Sequence, residues 1–310
     1  MANIGEMLGA APTSTFLGLA AGRLDAVEPG IGILGVPAAT PYAATGAYCA
    51  HAPTAIRAAI APYSASRHHM DFDLGRPLVS EAGTPIRDYG DLGWALRDHA
   101  ANRERIRASV ASLIAGGAVP VILGGDDSVP IPVIQALATG GPLDILQIDA
   151  HIDWRDEVGG ERMGLSSTMR RASEMPGVRH IVQVGQRAIG SARPQDYDDA
   201  CKHGVTFFSA RAIHTAGVGQ ALHRLEPGAR LYINLDVDGL DPSVMPAVIG
   251  PAPGGLRFDQ VNELLHGAAA RCHIAGFSIV ELMPERDRDG LSALTAARLV
   301  CNVLGLLGRS

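Results

Sequence analysis

The sequence predicts an α/β protein in which a parallel sheet is covered by helices on both faces. Short apolar runs alternate along the chain with stretches of helical periodicity, which is typical of such sheets. Three of the runs end in acidic residues, beginning at Asp126, Asp149 and Asp236. Ligands of open parallel sheets bind beyond the carboxyl ends of the strands, and each acidic cluster falls there. Two separate features therefore indicate the same fold class.

The predicted elements are six strands and seven helices. The strands are expected at 31–37, 119–123, 143–148, 180–184, 231–235 and 274–280. The helices are expected at 53–60, 102–115, 129–138, 165–174, 194–203, 215–224 and 258–270. Pro53 suits the first turn of its helix, and apolar residues recur at helical spacing within 102–115. The segment 88–93, rich in acids and glycines, is predicted as a turn.

Composition indicates a soluble globular protein with an ordinary core. The chain has 310 residues, of which 47% are hydrophobic and 19% charged. No linker, low-complexity tract or internal repeat divides it, so we predict one domain over 1–310. Residues 1–30 are predicted to form an N-terminal arm with a short helix.

The same features exclude several classes of partner. The net charge of −6 offers no basic surface for nucleic acid. The four cysteines show no paired spacing, which favours reduced thiols in a cytoplasmic protein. Residues 1–30 carry no basic amino-terminal region, and Pro12 interrupts their apolar stretch, so neither a signal peptide nor a membrane segment is expected.

The acidic pattern predicts a metal site. Asp149, His151 and Asp153 occupy alternate positions, and alternate residues of an extended chain project to one side. Asp236 and Asp238 repeat the arrangement after another strand. Clustered acids repel one another unless cations hold them, and hard divalent metals prefer oxygen ligands with an occasional imidazole. We therefore expect two metal ions that share carboxylates.

A less specific interpretation fits single acids. One aspartate after a strand commonly caps a helix or forms a turn, and that interpretation suffices for Asp126 or Asp156 alone. It does not account for five acids and one histidine at three strand ends.

Three motifs together resemble the ureohydrolases, the family of arginases, agmatinases and guanidino-acid hydrolases. They are Gly-Gly-Asp-x-Ser at 124–128, Asp-Ala-His-x-Asp at 149–153 and Asp-Val-Asp-Gly-Leu-Asp-Pro at 236–242, and the bacterial agmatinases look most similar. The resemblance implies a three-layer α/β/α fold around an eight-stranded, mostly parallel sheet. It also implies two divalent ions, most often Mn²⁺ (with Ni²⁺, Co²⁺ or Zn²⁺ as alternatives), and a homotrimer or homohexamer.

When the family's six ligand positions are matched to this sequence, the resemblance implies that five metal ligands are kept and that the sixth is substituted. The five ligands are Asp149, His151, Asp153, Asp236 and Asp238. The family has histidine at the sixth position, which here is Asp127. With two divalent ions, five aspartates give an inner charge of about −1 instead of about 0. We expect Asp127 to face the metals; the alternative is that it caps the helix beginning near Val129.

The resemblance also implies catalytic roles and a second departure. Glu281 matches the acid that holds the guanidinium, and Asp153 is expected to accept the hydroxide proton. Many members carry a proton-shuttle histidine about 15 residues after the central motif. This chain has no histidine between His151 and His180, so another group or water must move the proton.

The implied reaction releases urea from a small cationic guanidino substrate. Substrate choice is expected in the loops 38–48 and 154–168, where Asp156 could bind a distal ammonium and Arg162 a carboxylate. Both charges are equally explained as solvated loop residues. Agmatine, giving putrescine and urea, is the first expected substrate, and a guanidino acid or a biguanide-like compound is the second. A catalytically impaired subunit in a hetero-oligomer with an active paralogue is the alternative from another class.

Overall fold

The computed structural model describes residues 4–80 and 83–308. Their eleven strands are β1 (Ala20–Ala21), β2 (Gly30–Val36), β3 (Met70–Asp71), β4 (Arg76–Pro77), β5 (Ile86–Asp91), β6 (Ala118–Gly124), β7 (Leu143–Ile148), β8 (Val178–Val184), β9 (Thr206–Phe208), β10 (Arg230–Asp236) and β11 (His273–Val280). Their helices are α1 (Ile4–Leu8), α2 (Ala52–Ile60), α3 (His99–Ala115), α4 (Pro130–Ala138), α5 (Thr168–Ser173), α6 (Pro194–Lys202), α7 (Ala210–Ala216), α8 (Gly219–Leu222), α9 (Phe258–Arg271) and α10 (Leu291–Leu307).

Nine of these strands form one sheet in the described part of the chain. Its order is β1-β5-β2-β6-β11-β10-β7-β8-β9, and every neighbouring pair is parallel. The predicted three-layer α/β/α fold is therefore confirmed. The sheet has eight strands of three or more residues, and the two-residue strand β1 is the ninth. Strands β3 and β4 form a separate antiparallel ribbon.

Two apolar clusters, one on each face, hold the helices to the sheet. Adjacent residues of one strand point to opposite faces, so Ile145 joins one cluster and Leu146 the other. Helices α2 and α7 to α10 contribute to the cluster of Leu146, and helices α3 to α6 to that of Ile145. This double cover explains why the central strands are apolar on both sides. None of the described helices is long and apolar enough to cross a bilayer.

Several predicted elements need correction. The prediction of a turn at 88–93 is wrong, because strand β5 (Ile86–Asp91) occupies most of that segment. The acidic residues of this segment favoured a turn over a strand. In the structure Arg57 forms ion pairs with two of them, Asp88 and Asp91. The predicted helix at 215–224 is divided near Gly217, whose φ of 74° suits glycine.

Five elements were missed altogether, namely helix α10, strand β9 and the two-residue strands β1, β3 and β4. Helix α10 is largely buried and apolar on most sides, so it lacks the one-sided periodicity that identifies a surface helix. Strand β9 has only three residues and gave no pattern to detect.

The N-terminal arm packs on the body of its own chain. Phe16 and Leu17 are buried in the same apolar cluster as Ile56 of α2, and β1 adds a strand to the edge of the sheet beside β5. The short helix expected in the arm is α1. Residues 1–3 of the arm lie outside the described residues.

Arg57 connects α2 to strand β5 through a buried ion pair. Its Nε and Nη2 donate to the two carboxylate oxygens of Asp88 at 2.7 and 2.8 Å. Asp88 also accepts from the backbone N–H of Phe16 at 2.7 Å, so one carboxylate ties the arm, the helix and the strand together. Arg57 and Asp88 are 7% and 2% exposed, so neither charge is well solvated.

We predict that Arg57→Met lowers the free energy of unfolding by about 3–5 kcal/mol, because it leaves the Asp88 carboxylate buried without its cation. Chemical denaturation followed by circular dichroism measures the change. The double variant Arg57→Met/Asp88→Asn should lose less than the single variant, since no charge is then buried alone. An equal or greater loss in the double variant would contradict this account.

Candidate metal centre and its cavity

Four adjacent strands deliver the predicted site residues to one edge of the sheet. Asp149 follows β7, and Asp236 is the last residue of β10, which neighbours β7. Asp127 lies just beyond β6, and Glu281 directly follows β11. Because the strands are parallel, all these side chains emerge at the same carboxyl-terminal edge.

The donor atoms form two groups that share one residue. Asp149, His151 and Asp238 place their donor atoms within 4.8 Å of one another, and so do Asp127, Asp149 and Asp153. Asp149 belongs to both groups, which suits a carboxylate that bridges two ions. Asp236 belongs to neither group; its Oδ1 accepts from the backbone N–H of Asp238 at 2.8 Å, although the residue lines the same cavity.

His151 lies between two acids. Its Nδ1 is 3.0 Å from Asp238 Oδ2 and 3.4 Å from Asp149 Oδ1. Burial opposes protonation of the imidazole, but hydrogen bonds to Asp149 and Asp238 outweigh it and raise the pKa of His151 to about 12. A positive charge is thus favoured at this position.

Asp127 faces the acidic cluster and does not cap α4. Its Oδ1 accepts from Asn234 Nδ2 at 2.7 Å, while its buried Oδ2 has no hydrogen-bond partner in the described structure. The side chain at the N-cap of α4 is Val129, which makes no capping bond. Asp126 instead forms the local turn, accepting from the backbone N–H of Ser128 at 3.0 Å.

A row of buried polar side chains lies beneath the acids, one residue per strand on β11, β10, β7 and β8. The members of this polar row occupy paired register positions and are Ser278, Asn234, Gln147 and Gln183. Gln147 Nε2 donates to Asp149 Oδ2 at 2.7 Å and to Asp153 Oδ2 at 2.6 Å. Gln183 Nε2 donates to Gln147 Oε1 and so sets the direction of the Gln147 amide. The row therefore orients the acids.

The acids cannot all ionise in the protein alone. Burial, followed by repulsion from neighbouring acids, raises the pKa of Asp127, Asp153 and Asp236 well above the usual range. The same causes raise the pKa of Asp149 to about 6. The pKa of Asp238 is lowered despite its burial, because His151 donates to it.

These donors fit divalent cations. Buried carboxylates need either protons or positive charge, and hard divalent ions bind carboxylate oxygen with one imidazole. The unpartnered Oδ2 of Asp127 is a donor of this kind already in place.

Glu281 is held at the edge of the cluster by three contacts. Its Oε2 accepts from Tyr48 OH at 2.6 Å, its Oε1 accepts from the backbone N–H of Asp127 at 2.8 Å, and its own N–H donates to Gly125 O at 2.9 Å. Burial, followed by repulsion from Asp126, raises its pKa to about 8. Its φ of 71° lies in the left-handed region, as does the φ of 45° at Asp153. Such strain in non-glycine residues is concentrated at functional sites.

A cavity of about 250 Å³ opens above the cluster. Glu281 and the predicted ligands line it, except Asp149, which is fully buried beneath. Its outer wall includes Arg155, Ser166 and Asp196. Parts of the loop 154–168 therefore contact the cavity, and loop 38–48 reaches it through the bond from Tyr48 to Glu281.

Asp156 and Arg162 lie outside the cavity lining and bind each other. Arg162 Nη2 is 3.0 Å from Asp156 Oδ1, and Arg171 Nη2 is 2.8 Å from the same oxygen. The side chains of Asp156 and Arg162 are 52% and 54% exposed. The structure thus places these two candidates in a surface ion cluster.

Several site residues escaped the sequence analysis. Gln147 and Asn234 precede Asp149 and Asp236 by two positions, so extending the alternate-position pattern backwards along each strand would have found both. Tyr48 had no such signal, because its contact with Glu281 spans 233 positions. Arg155 and Asp196 become neighbours only in the folded chain.

Known proteins with related sequences and folds share this architecture. The model of the arginase family matches residues 29–305. Arginase 1 of Arabidopsis thaliana is 33% identical over 81% of this chain and 73% of its own length. N(1)-aminopropylagmatine ureohydrolase of Thermus thermophilus is 34% identical over 75% of this chain and 79% of its own. Among solved structures, proclavaminate amidino hydrolase of Streptomyces clavuligerus superposes with a TM-score of 0.81 at 24% identity, covering 97% of this chain and 98% of that one.

We predict that Asp127→Ala weakens the binding of one divalent ion selectively, because it removes one member of a three-donor group. Metal analysis after gel filtration, with Mn²⁺ titration of the apoprotein by calorimetry, measures stoichiometry and affinity. Asp127→His should keep two-ion binding. Asp259→Ala, which removes an exposed carboxylate of α9, is the matched control. Unchanged metal affinities in Asp127→Ala would exclude Asp127 from the site.

We also predict that Gln147→Leu lowers metal affinity by about 10–100-fold, because Asp149 and Asp153 lose the amide that orients them. The same calorimetric titration measures it. The Gln147→Glu variant should bind metal no more tightly than Gln147→Leu, because it replaces the amide donor with a buried acid. Wild-type affinity in both variants would show that the polar row only fills space.

Proposed function

The chain belongs to the arginase family, and we propose that it hydrolyses a guanidino group to urea and an amine with two divalent ions, Mn²⁺ first among them. The observation that carries the proposal is that Glu281, a buried carboxylate outside both donor groups, lines the same cavity as the predicted ligands. A cationic guanidinium placed there meets a carboxylate on one side and the metal centre on the other.

Glu281 binds the guanidinium in this proposal. Tyr48 OH and the backbone N–H of Asp127 fix both of its oxygens, so the carboxylate keeps one orientation. A preorganised carboxylate loses little freedom when two N–H groups of the substrate bind it. Asp153 and His151 line the same cavity, so the guanidinium carbon would lie among the predicted metal ligands.

When bound, the metal ions would lower the pKa of a water molecule and polarise it for attack on the guanidinium carbon. Asp127, Asp149, His151, Asp153, Asp236 and Asp238 would hold the ions.

Asp153 accepts the proton released during attack and passes it toward the leaving amine. Its Oδ2 is held by Gln147, and its side chain lines the cavity, which suits a general base. Among the described residues lining the cavity, His151 is the sole histidine, and it is assigned to metal. The proton that a shuttle histidine moves in many relatives is therefore moved here by another group or by water.

The cavity favours a small substrate, since about 250 Å³ is below the range of about 300–1,000 Å³ for drug-sized ligands. The motifs favour agmatine, whereas the arginine on the cavity wall favours a guanidino acid. We further propose a cytoplasmic location, since the cysteines show no paired spacing, and a trimeric or hexameric assembly, as the family pattern implies. An impaired subunit beside an active paralogue stays the second candidate, because Asp127 replaces the expected histidine.

We expect metal-loaded protein to release urea from at least one linear guanidino compound, measured colorimetrically across a panel that includes agmatine and guanidino acids. Glu281→Gln should lower kcat/KM by about 100-fold or more, because a buried charge pair with the substrate is lost. Glu174→Gln changes an exposed carboxylate and is the matched control. If no compound yields urea, alone or with a co-encoded paralogue, the enzyme assignment fails.

A further inference from the structure

We propose that Arg155 binds a carboxylate of the substrate, so that the chain acts on a linear guanidino acid. This inference rests on the proposed function and concerns the part of the cavity lining that Arg155 contributes. Three observations carry it: the placement of Arg155, its weak bonding within the protein, and the charges of the other residues that line the cavity.

Arg155 is anchored beside the acidic cluster. It stands two residues after Asp153, and its backbone N–H donates to Ser166 O at 2.9 Å. The preceding Trp154 is 1% exposed, so the backbone at this point is fixed in the core. The side chain of Arg155 is 31% exposed and lines the cavity. A rigid backbone thus presents a cationic group to the substrate space.

The guanidinium of Arg155 has little to bind within the protein. Among the described residues it forms one ion pair, with Asp196, whose Oδ2 is 3.5 Å from Nη1. Both oxygens of Asp196 are already taken by Arg193, at 2.7 Å from Nε and 2.8 Å from Nη2. The side chain of Arg155 makes no hydrogen bond within residues 4–80 and 83–308. Its planar N–H donors can therefore form a bidentate pair of hydrogen bonds with the two oxygens of a carboxylate.

Arg155 is the sole arginine or lysine among the described residues that line the cavity, and the other charged lining residues are six acids and His151. A guanidino acid carries a cation that the acids can bind and an anion that Arg155 can bind. Agmatine is cationic at both ends, so its ammonium would lie near a guanidinium. Asp196 offers that ammonium little, because Arg193 already neutralises it.

The competing explanation is that Arg155 supports the wall by its contact with Asp196. In that case its removal affects all substrates alike. A specificity role predicts instead a loss confined to substrates that carry a carboxylate.

The test compares three substrates of matched length, 4-guanidinobutyrate, agmatine and propylguanidine, in the metal-loaded wild-type protein and in Arg155→Met. We expect wild type to prefer the acid. Arg155→Met should lower the ratio of kcat/KM for the acid to that for propylguanidine by about 100-fold. Arg107→Met, which removes an exposed arginine of α3 far from the cavity, should leave the ratio unchanged.

Binding without turnover separates this inference from the proposed function. Calorimetric titration of the same three compounds into each variant measures affinity even if no urea forms. If no urea forms but binding of the guanidino acid depends on Arg155, only the proposed reaction is refuted. Wild-type preference for agmatine, an equal loss for all substrates in Arg155→Met, or acid binding independent of Arg155 would overturn the inference.

Discussion

Repulsion among buried carboxylates is the constraint on which the rest of the site depends. Parallel strands carry Asp149, Asp236 and their neighbours to one edge, where burial removes the water that would screen their charges. Hydrogen bonds from Gln147 and Asn234 orient the acids but add no positive charge. Protons or cations must offset the repulsion, and divalent ions bound there would couple the stability of this edge to metal binding.

The polar row shows how the sheet positions the metal site. Central strands of a parallel sheet are usually apolar on both faces, yet four neighbouring strands here carry a buried polar residue at matching register. Each member makes at least one hydrogen bond to another polar group, while the amide oxygens of Asn234 and Gln183 have no hydrogen-bond partner in the described structure. The polar row thus orients the acids, and the acids that follow it along the strands form the candidate metal site.

The cavity combines rigid and specific parts. Its inner end, with the candidate metal ligands, is built on residues at or just beyond strand termini. Arg155 lies on the loop after β7 and pairs with Asp196 of α6, which also pairs with Arg193. Loops tolerate change because they carry little of the core, so substrate choice can vary while the chemistry of the inner end is preserved.

The sequence alone determined the fold class, the carboxyl-end location of the acids and the family, because apolar runs and alternate-position acids are local patterns. It could not identify β5 as a strand, since the acids of β5 are neutralised by Arg57 from a distant helix. The tertiary structure alone decided that Asp127 faces the cluster, that Tyr48 holds Glu281, and that Arg155 lines the cavity while Arg162 pairs at the surface. These outcomes depend on contacts between residues far apart in the chain, which no local pattern encodes.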